Sequence, residues 1–406
     1  MTLEFPGHFR FGTSTSAVQI ETAVDHDWQG FVARDNAVFR RTTDHELHWG
    51  KDVEIISSLA PNYRMSFMWS RLQQAPFATL DSDAVNHYRS LLIQLKLRGV
   101  DIMLVLHHFA NPVWFSQQGG WANKLSIDWW LDYVKKVIHE FGEFVSLWNT
   151  FNEPNLYISL SSLAGLFPPQ KTNPVYAWRV LNQISLAHKR AYEMLNTLSP
   201  EKPVGISHNA SILEGDNLLG VLPAKITDWW YMHFLPGWFE HGDFFGLSYY
   251  SRIGYDPFPV TFLNTPEKII KKDKAHDDMW EYYPQGLGIC IDRYWNRFKK
   301  PIIITENGMS THDDNQRIQS IYDYMNIIHD RIEKGVDIRG YFHWSTWDNF
   351  EWNLGPSYHF GLYACNPQTK ERIKRPSADV YSSLAHSNKL VIPSTSNLHK
   401  VLEHAR

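Results

Sequence analysis

The sequence is short of cysteine, short of net charge and without a long apolar run, and each shortage removes a class of function. Only Cys290 and Cys365 occur, far apart and in no paired motif. That excludes a disulfide framework and predicts two free thiols in a reducing compartment. The histidines are scattered without metal-ligand spacing, and no phosphate-cradling glycine loop is present, so neither a metal nor a nucleotide cofactor is expected. A formal net charge of −4 over 406 residues argues against a nucleic-acid or anionic-membrane partner. No window reaches about 18 consecutive apolar residues, the length a membrane span needs. The start, MTLEFPGHFRFG, lacks the basic stretch and apolar core of a signal peptide, which predicts a cytoplasmic location. No fixed-period repeat is visible.

What is abundant is aromatic: 17 Trp, 19 Tyr and 23 Phe. Such rings fill large cores, and they also stack on the apolar faces of sugars. Composition alone does not separate these uses. The order of elements says more. Eight short β-rich runs alternate with amphipathic stretches, the mark of βα units around a parallel sheet. The runs are Phe9–Thr13, Asn62–Phe67, Asp101–His107, Val145–Phe151, Pro203–Ser207, Phe244–Tyr249, Pro301–Thr305 and Ile338–Trp344. Helices are predicted over Asp44–Leu59, Asp81–Arg98, Ser126–Phe141, Val175–Leu198, Gly286–Phe298, Asn315–Lys334 and Pro376–Ala385. Asp256–Asp278, rich in proline and charge, reads as a long loop. Eight strands are what a closed (β/α)8 barrel requires. The fold class is therefore α/β, with one barrel domain over residues 1–386 and a polar tail over 387–406.

In such barrels the chemistry sits where the strands end. Polar side chains gather there. Gln19 follows the first run, Arg64 lies in the second, and His107–His108 close the third. Asn152–Glu153 follow the fourth, Tyr249–Tyr250 the sixth, Glu306 the seventh and Trp344 the eighth. Two of these are carboxylates directly after apolar strands, in Thr150-Phe151-Asn152-Glu153-Pro154 and Ile304-Thr305-Glu306-Asn307-Gly308. Cleaving a glycosidic bond needs two carboxyl groups on opposite sides of the anomeric carbon. Strands four and seven face each other across a barrel mouth, so Glu153 and Glu306 suit that task. Their roles must differ, and so must their pKa values. By strand order Arg64 and Tyr250 are placed to keep Glu306 ionised, which leaves the proton on Glu153.

The sequence resembles glycoside hydrolase family 1, the β-glucosidase family. The likeness runs through FPGHFRFGTSTSAVQIE (Phe5–Glu21), NYRMSFMWSRL (Asn62–Leu72), HHFANPVWF (His107–Phe115), WNTFNEP (Trp148–Pro154), GLSYY (Gly246–Tyr250), PIIITENG (Pro301–Gly308) and YFHWSTWDNFEWNLG (Tyr341–Gly355). These segments stand in family order and cover nearly the whole chain. The resemblance implies a retaining exo-β-glycosidase with Glu153 as acid/base and Glu306 as nucleophile, supported by Arg64 and Tyr250. It implies sugar contacts from Gln19, His108, Asn152 and Glu351, a platform in Trp344, and Trp352 lining the same pocket. Trp121 and Trp347 read as packing more readily than as platforms, and His107 as a core histidine beside His108.

Three departures from the family pattern stand out. Ser248 occupies a position usually held by Asn near the nucleophile. His359 occupies one usually held by Arg, which removes a fixed charge near the final loop. The region from Val24 to His48 and the loops between strands four and seven look trimmed, which predicts an open aglycone side. The pair Glu351-Trp352 fits a neutral sugar, because a 6-phosphate would meet the carboxylate, so the expected ligand is a small β-glycoside or oligosaccharide. Competing readings are a barrel endo-β-glucanase or mannanase, a transglycosylase, and a non-catalytic sugar-binding relative.

Overall fold

The computed structural model describes residues 2–22, 25–256, 258–259 and 275–392. Eight parallel strands form the barrel: β1 (Arg10–Ser14), β2 (Asn62–Ser66), β3 (Asp101–His107), β4 (Val145–Asn152), β5 (Val204–Gly215), β6 (Phe244–Asp256), β7 (Ile302–Asn307) and β8 (Ile338–Trp344). Each pairs with its sequence neighbour, and β8 pairs with β1, so the ring closes. These strands are buried on both faces, which is why they read as continuous apolar runs rather than alternating ones. Inside the ring Met103, Leu147, Phe244, Ile303 and Phe342 make an apolar plug. Gly205 leaves room for it: a Cβ there would lie 2.4 Å from the Phe244 ring.

A helix follows every strand: α1 (His45–Leu59), α2 (Ser82–Leu97), α3 (Ser126–Phe141), α4 (Pro174–Leu198), α5 (Leu218–Asp228), α6 (Gln285–Phe298), α7 (Asp314–Glu333) and α8 (Pro376–Ser387). The caps follow ordinary chemistry. Asp81 accepts from the backbone N–H groups of Asp83 and Ala84, and Asn173 does the same for α4, with Pro174 in the first turn. Asp44 departs from the expected helix start: its φ of 55° is left-handed and its carboxylate bonds Thr22 and Arg41, leaving α1 without a side-chain cap.

Two differences from the sequence expectation shape the site. First, β5 and β6 run well past Ser207 and Tyr249. They stay paired to Gly215↔Tyr255 and form a ribbon standing out from the barrel mouth. Second, the ribbon leads into a helix the sequence did not announce, α5. Its leucines face outward: Leu218, Leu219, Leu222 and Ile226 are exposed, while Gly220 and Ala224 are buried. Small residues are required on the inner face, since a Cβ on Gly220 would lie 1.9 Å from the Tyr255 carbonyl oxygen. A π-helical turn, Trp229–Phe234, continues from α5.

At the opposite end of the barrel Thr2–Glu4 pairs antiparallel with Lys389–Val391, so the start of the expected polar tail is tied to the first strand of the chain. The rest of that tail, 393–406, lies outside the described residues. So do Val24, at the edge of the trimmed region, and most of the predicted Asp256–Asp278 loop. Among the described residues no helix is long and apolar enough to cross a membrane, and no group of three or more His, Cys, Asp or Glu is arranged to hold a metal. Cys290 and Cys365 are free thiols.

Candidate active site

Glu153 is the first residue after β4. Its backbone takes a left-handed conformation, φ 40° and ψ 56°, and its N–H donates to the Ser207 carbonyl at 2.9 Å. Pro154 then opens a short helix, Pro154–Ile158. This strand-to-helix corner turns the carboxyl into the mouth of the barrel. Phe109 and Trp352, which border the same cleft, also have positive φ, at 64° and 44°. Backbone strain of this kind, of order 1–3 kcal/mol per residue, persists only where packing fixes it. Glu306 sits near the end of β7, level with Ser248 of β6.

The surroundings of the two carboxyls differ. Arg64 Nη1 donates to Glu306 Oε1 at 2.5 Å, and the Tyr250 hydroxyl donates to Oε2 at 3.0 Å. Arg64 is wholly buried and also donates to Asn152 Oδ1 at 2.6 Å and to Ser14 at 3.1 Å. The Asn152 amide continues to His108 Nε2 at 3.0 Å. Glu153 has no cation in hydrogen-bond contact, and its buried Oε1 has no partner. Burial raises its pKa well above the usual carboxylate range, the charge of Glu306 raises it further, and Asn209 and Ser248 pull it back only in part. Burial raises Glu306 as well, but Arg64 and then Tyr250 oppose it. The proton therefore rests on Glu153 while Glu306 is the better-stabilised anion.

The far wall is polar and equally ordered. Gln19 Nε2 donates to Asn349 Oδ1 and the Phe350 carbonyl, both at 3.0 Å, and approaches Glu351 Oε2 at 3.4 Å. Its Oε1 is buried and unpartnered, as is Nδ1 of His108. Burial first, then Glu306, pushes the Glu351 carboxyl up to about 8, against hydrogen bonds from Gln19 and Trp344. Buried polar atoms without partners are rare in native folds, and two of the residues that carry them here, His108 and Glu153, border one cleft. That cleft, about 930 Å³ counted together with the open solvent at its mouth, is bordered by His108, Asn152, Glu153, Tyr250, Glu306, Trp344, Glu351 and Trp352.

The structure thus brings all ten sequence-predicted site residues to one end of the barrel. His107 stays in the core, bonded to Asn111 at 3.0 Å. Trp121 and Trp347 are buried packing residues whose indole N–H groups reach Asn111 and Thr43. Ser248, level with Glu306 in the sheet, is buried; its hydroxyl makes no hydrogen bond of ordinary geometry but lies close enough to Glu153 to favour its ionised form. A fixed charge does stand beside His359, on Arg375. Arg375 makes two bonds to Asp348, at 2.9 and 2.7 Å, and His359 adds a third at 3.0 Å. Asn209, on the β5 ribbon, was missed. A lone Asn in a β-rich run carries no signature, and only the ribbon's length brings it to the cleft.

A closed parallel barrel with two buried carboxyls, unlike in setting and sharing one mouth, defines a glycoside-cleaving enzyme. Residues 1–217 and 234–390 match Glycosyl hydrolase family 1, and the chain belongs to that family. It is a glycoside hydrolase, acting on O-glycosyl bonds. It is 28% identical to a β-glucosidase of an Agrobacterium species, over 95% of this chain and 96% of that one. It is 29% identical to a β-galactosidase of Saccharolobus solfataricus, over 75% and 70%. A solved β-glycosidase from Pyrococcus horikoshii superposes with a TM-score of 0.85 at 31% identity, covering 100% of this chain and 98% of that one.

Proposed function

We propose that this enzyme removes one neutral, unphosphorylated glycosyl residue from the non-reducing end of a small β-glycoside by double displacement. Glu306 attacks the anomeric carbon while Glu153 protonates the leaving oxygen. Glu153 then takes a proton from the water that resolves the glycosyl ester, and the configuration is retained. The observation that carries this reading is the unequal setting of the pair: Glu306 is held by Arg64 and Tyr250, and Glu153 is left protonated beside it. Gln19, His108, Asn152 and Glu351 meet the sugar hydroxyls, Trp344 lies under the ring, and Trp352 closes the side. A wall of buried polar groups rejects ligands that would leave it unpaired. Because Gln19 and Glu351 close the inner end, the reading favours exo cleavage over attack within a polysaccharide chain. β-Glucosides are the first choice, and β-galactosides and β-fucosides remain within reach of the one carboxyl at Glu351.

The aglycone leaves on the side of the proton donor. The cleft residues that follow Glu153 in the chain are Leu156, Leu160, Leu166 and Phe167, with Ile253 on the ribbon. That wall favours apolar aglycones, aryl or alkyl, over a second sugar. A panel of nitrophenyl glycosides, extended by alkyl glucosides and cellobiose, tests glycone and aglycone together. Glu306→Gly should abolish hydrolysis. Glu153→Ala should recover with azide on activated substrates and yield a β-glycosyl azide; azide without that product would refute the assignment of roles.

A further inference from the structure

Tyr231 lies in the stretch between the two blocks that match the family, residues 218–233. The π-helical turn that carries it buries the ring beside β5, and its hydroxyl donates to Asn209 Oδ1 at 2.8 Å. The Asn209 backbone is pinned from the other side. Its N–H donates to Asn155 Oδ1 at 3.1 Å, and its carbonyl accepts from Asn155 Nδ2 at 2.8 Å. Asn155 is itself two residues beyond Glu153. With the backbone fixed and Oδ1 occupied, the amide N–H group is what Asn209 has left to offer. Asn209 and Glu153 border the same cleft, and Glu153 presents a buried oxygen without a partner.

We propose that Tyr231 is a positioning residue: it holds Asn209 with its N–H toward Glu153 and so sets the pH at which the acid/base gives up its proton. This rests on the reading of Glu153 as acid/base. A donor aimed at a carboxyl favours the ionised form. Freed from Tyr231, the amide can rotate and present oxygen, which favours the protonated form. The other titratable or charged groups that bear on Glu153 are Glu306, Arg64 and Tyr250. Glu351 bears on Glu306 from the far wall, and Tyr255 and Tyr294 neighbour Tyr231. Neither Tyr231 nor Asn209 hydrogen-bonds Glu306 or Glu351.

The test is the pH profile of kcat/KM on phenyl β-glucoside, whose poor leaving group needs the proton. Tyr231→Phe keeps the ring and its packing. It should move the alkaline limb upward by roughly half a pH unit or more and leave the acid limb in place. Asn209→Ala should move the alkaline limb at least as far, and the double variant should add nothing to it, since both act through one bond. An alkaline limb unmoved in Tyr231→Phe overturns the proposal, and so do shifts that add in the double variant. Loss of azide rescue in Glu153→Ala would instead sink the acid/base reading, whereas intact rescue with an unmoved limb sinks this proposal alone.

Discussion

Arg64→Met removes the cation from Glu306 while keeping an unbranched apolar stem of similar length. In the wild type Arg64 is fully buried and bonds Glu306 at 2.5 Å and Asn152 at 2.6 Å. The variant leaves a buried carboxylate whose remaining stabilising donor is Tyr250 at 3.0 Å. Breaking a buried pair by removing one partner costs about 3–5 kcal/mol, because the other charge is left uncompensated. Glu306 has a way out of that cost, which is to take up a proton. Its folded pKa should then rise by roughly 1–3 pH units, the usual effect of a lost cationic neighbour. A raised folded pKa means the fold binds a proton that the unfolded chain has released, so stability falls as pH climbs through the window. Urea unfolding of Arg64→Met should show a deficit near 3–5 kcal/mol at pH 8 and a smaller one at pH 5. The acid limb of kcat/KM should move up in step. Adding Glu306→Gln should recover most of the lost stability, since no charge is left to strand. A deficit that is the same at both pH values, with an unmoved acid limb, would show that Arg64 acts through packing and not through the charge of Glu306.

Glu351→Gln makes a related case with the opposite sign. Because burial and Glu306 push Glu351 from 4.5 up to about 8, the wild type loses stability as pH rises from about 4.5 to 8. The neutral amide should escape that loss, gaining about 2 kcal/mol on the wild type between pH 5 and pH 8 once the partial exposure of the side chain is allowed for. Parallel stability curves would contradict it, and KM for glucosides should rise in either event. Arg375→Met should cost about 3 kcal/mol in urea unfolding, by stranding buried Asp348, whereas His359→Gln should cost under about 1 kcal/mol. Equal costs would mean that Arg375 holds Asp348 no more strongly than His359 does, and would refute the assignment of the fixed charge to Arg375.

The barrel was legible because its strands are short apolar runs with polar ends, and that pattern is what burial on both faces imposes. The two glutamates were legible because each follows such a run directly. What escaped notice shares one cause. The β5–β6 ribbon beyond Ser207 and Tyr249 is covered on one face only, so it mixes Arg252 and Glu214 with Ile212 and Ile253 and blurs the strand signal. Helix α5 turns its leucines outward, holds only Gly220 and Ala224 inside and carries Pro223 in mid-helix, the reverse of the pattern by which a surface helix is recognised. Asn209 and Tyr231 depend on both elements, so neither could be read from the chain alone. The setting of His359 was out of reach for another reason. Arg375 is 16 residues further on, and only the fold shows that its guanidinium reaches the same carboxylate.

The division of labour between the carboxyls belongs to their neighbours rather than to the glutamates themselves. Each follows an apolar strand and each is buried, so burial alone would raise both pKa values alike. Arg64 and Tyr250 break the symmetry by bonding one of them, and the charge they preserve on Glu306 is part of what keeps Glu153 protonated. The coupling is reciprocal. Once Glu306 becomes a neutral ester, that like charge is gone, and the pKa of Glu153 must fall by whatever the charge contributed. The group that donated a proton in the first step is then ready to accept one in the second, with no side chain required to move. Asn209, aimed at Glu153 and unaffected by the ester, would favour the ionised form in both steps, so it would sharpen the second at some expense to the first.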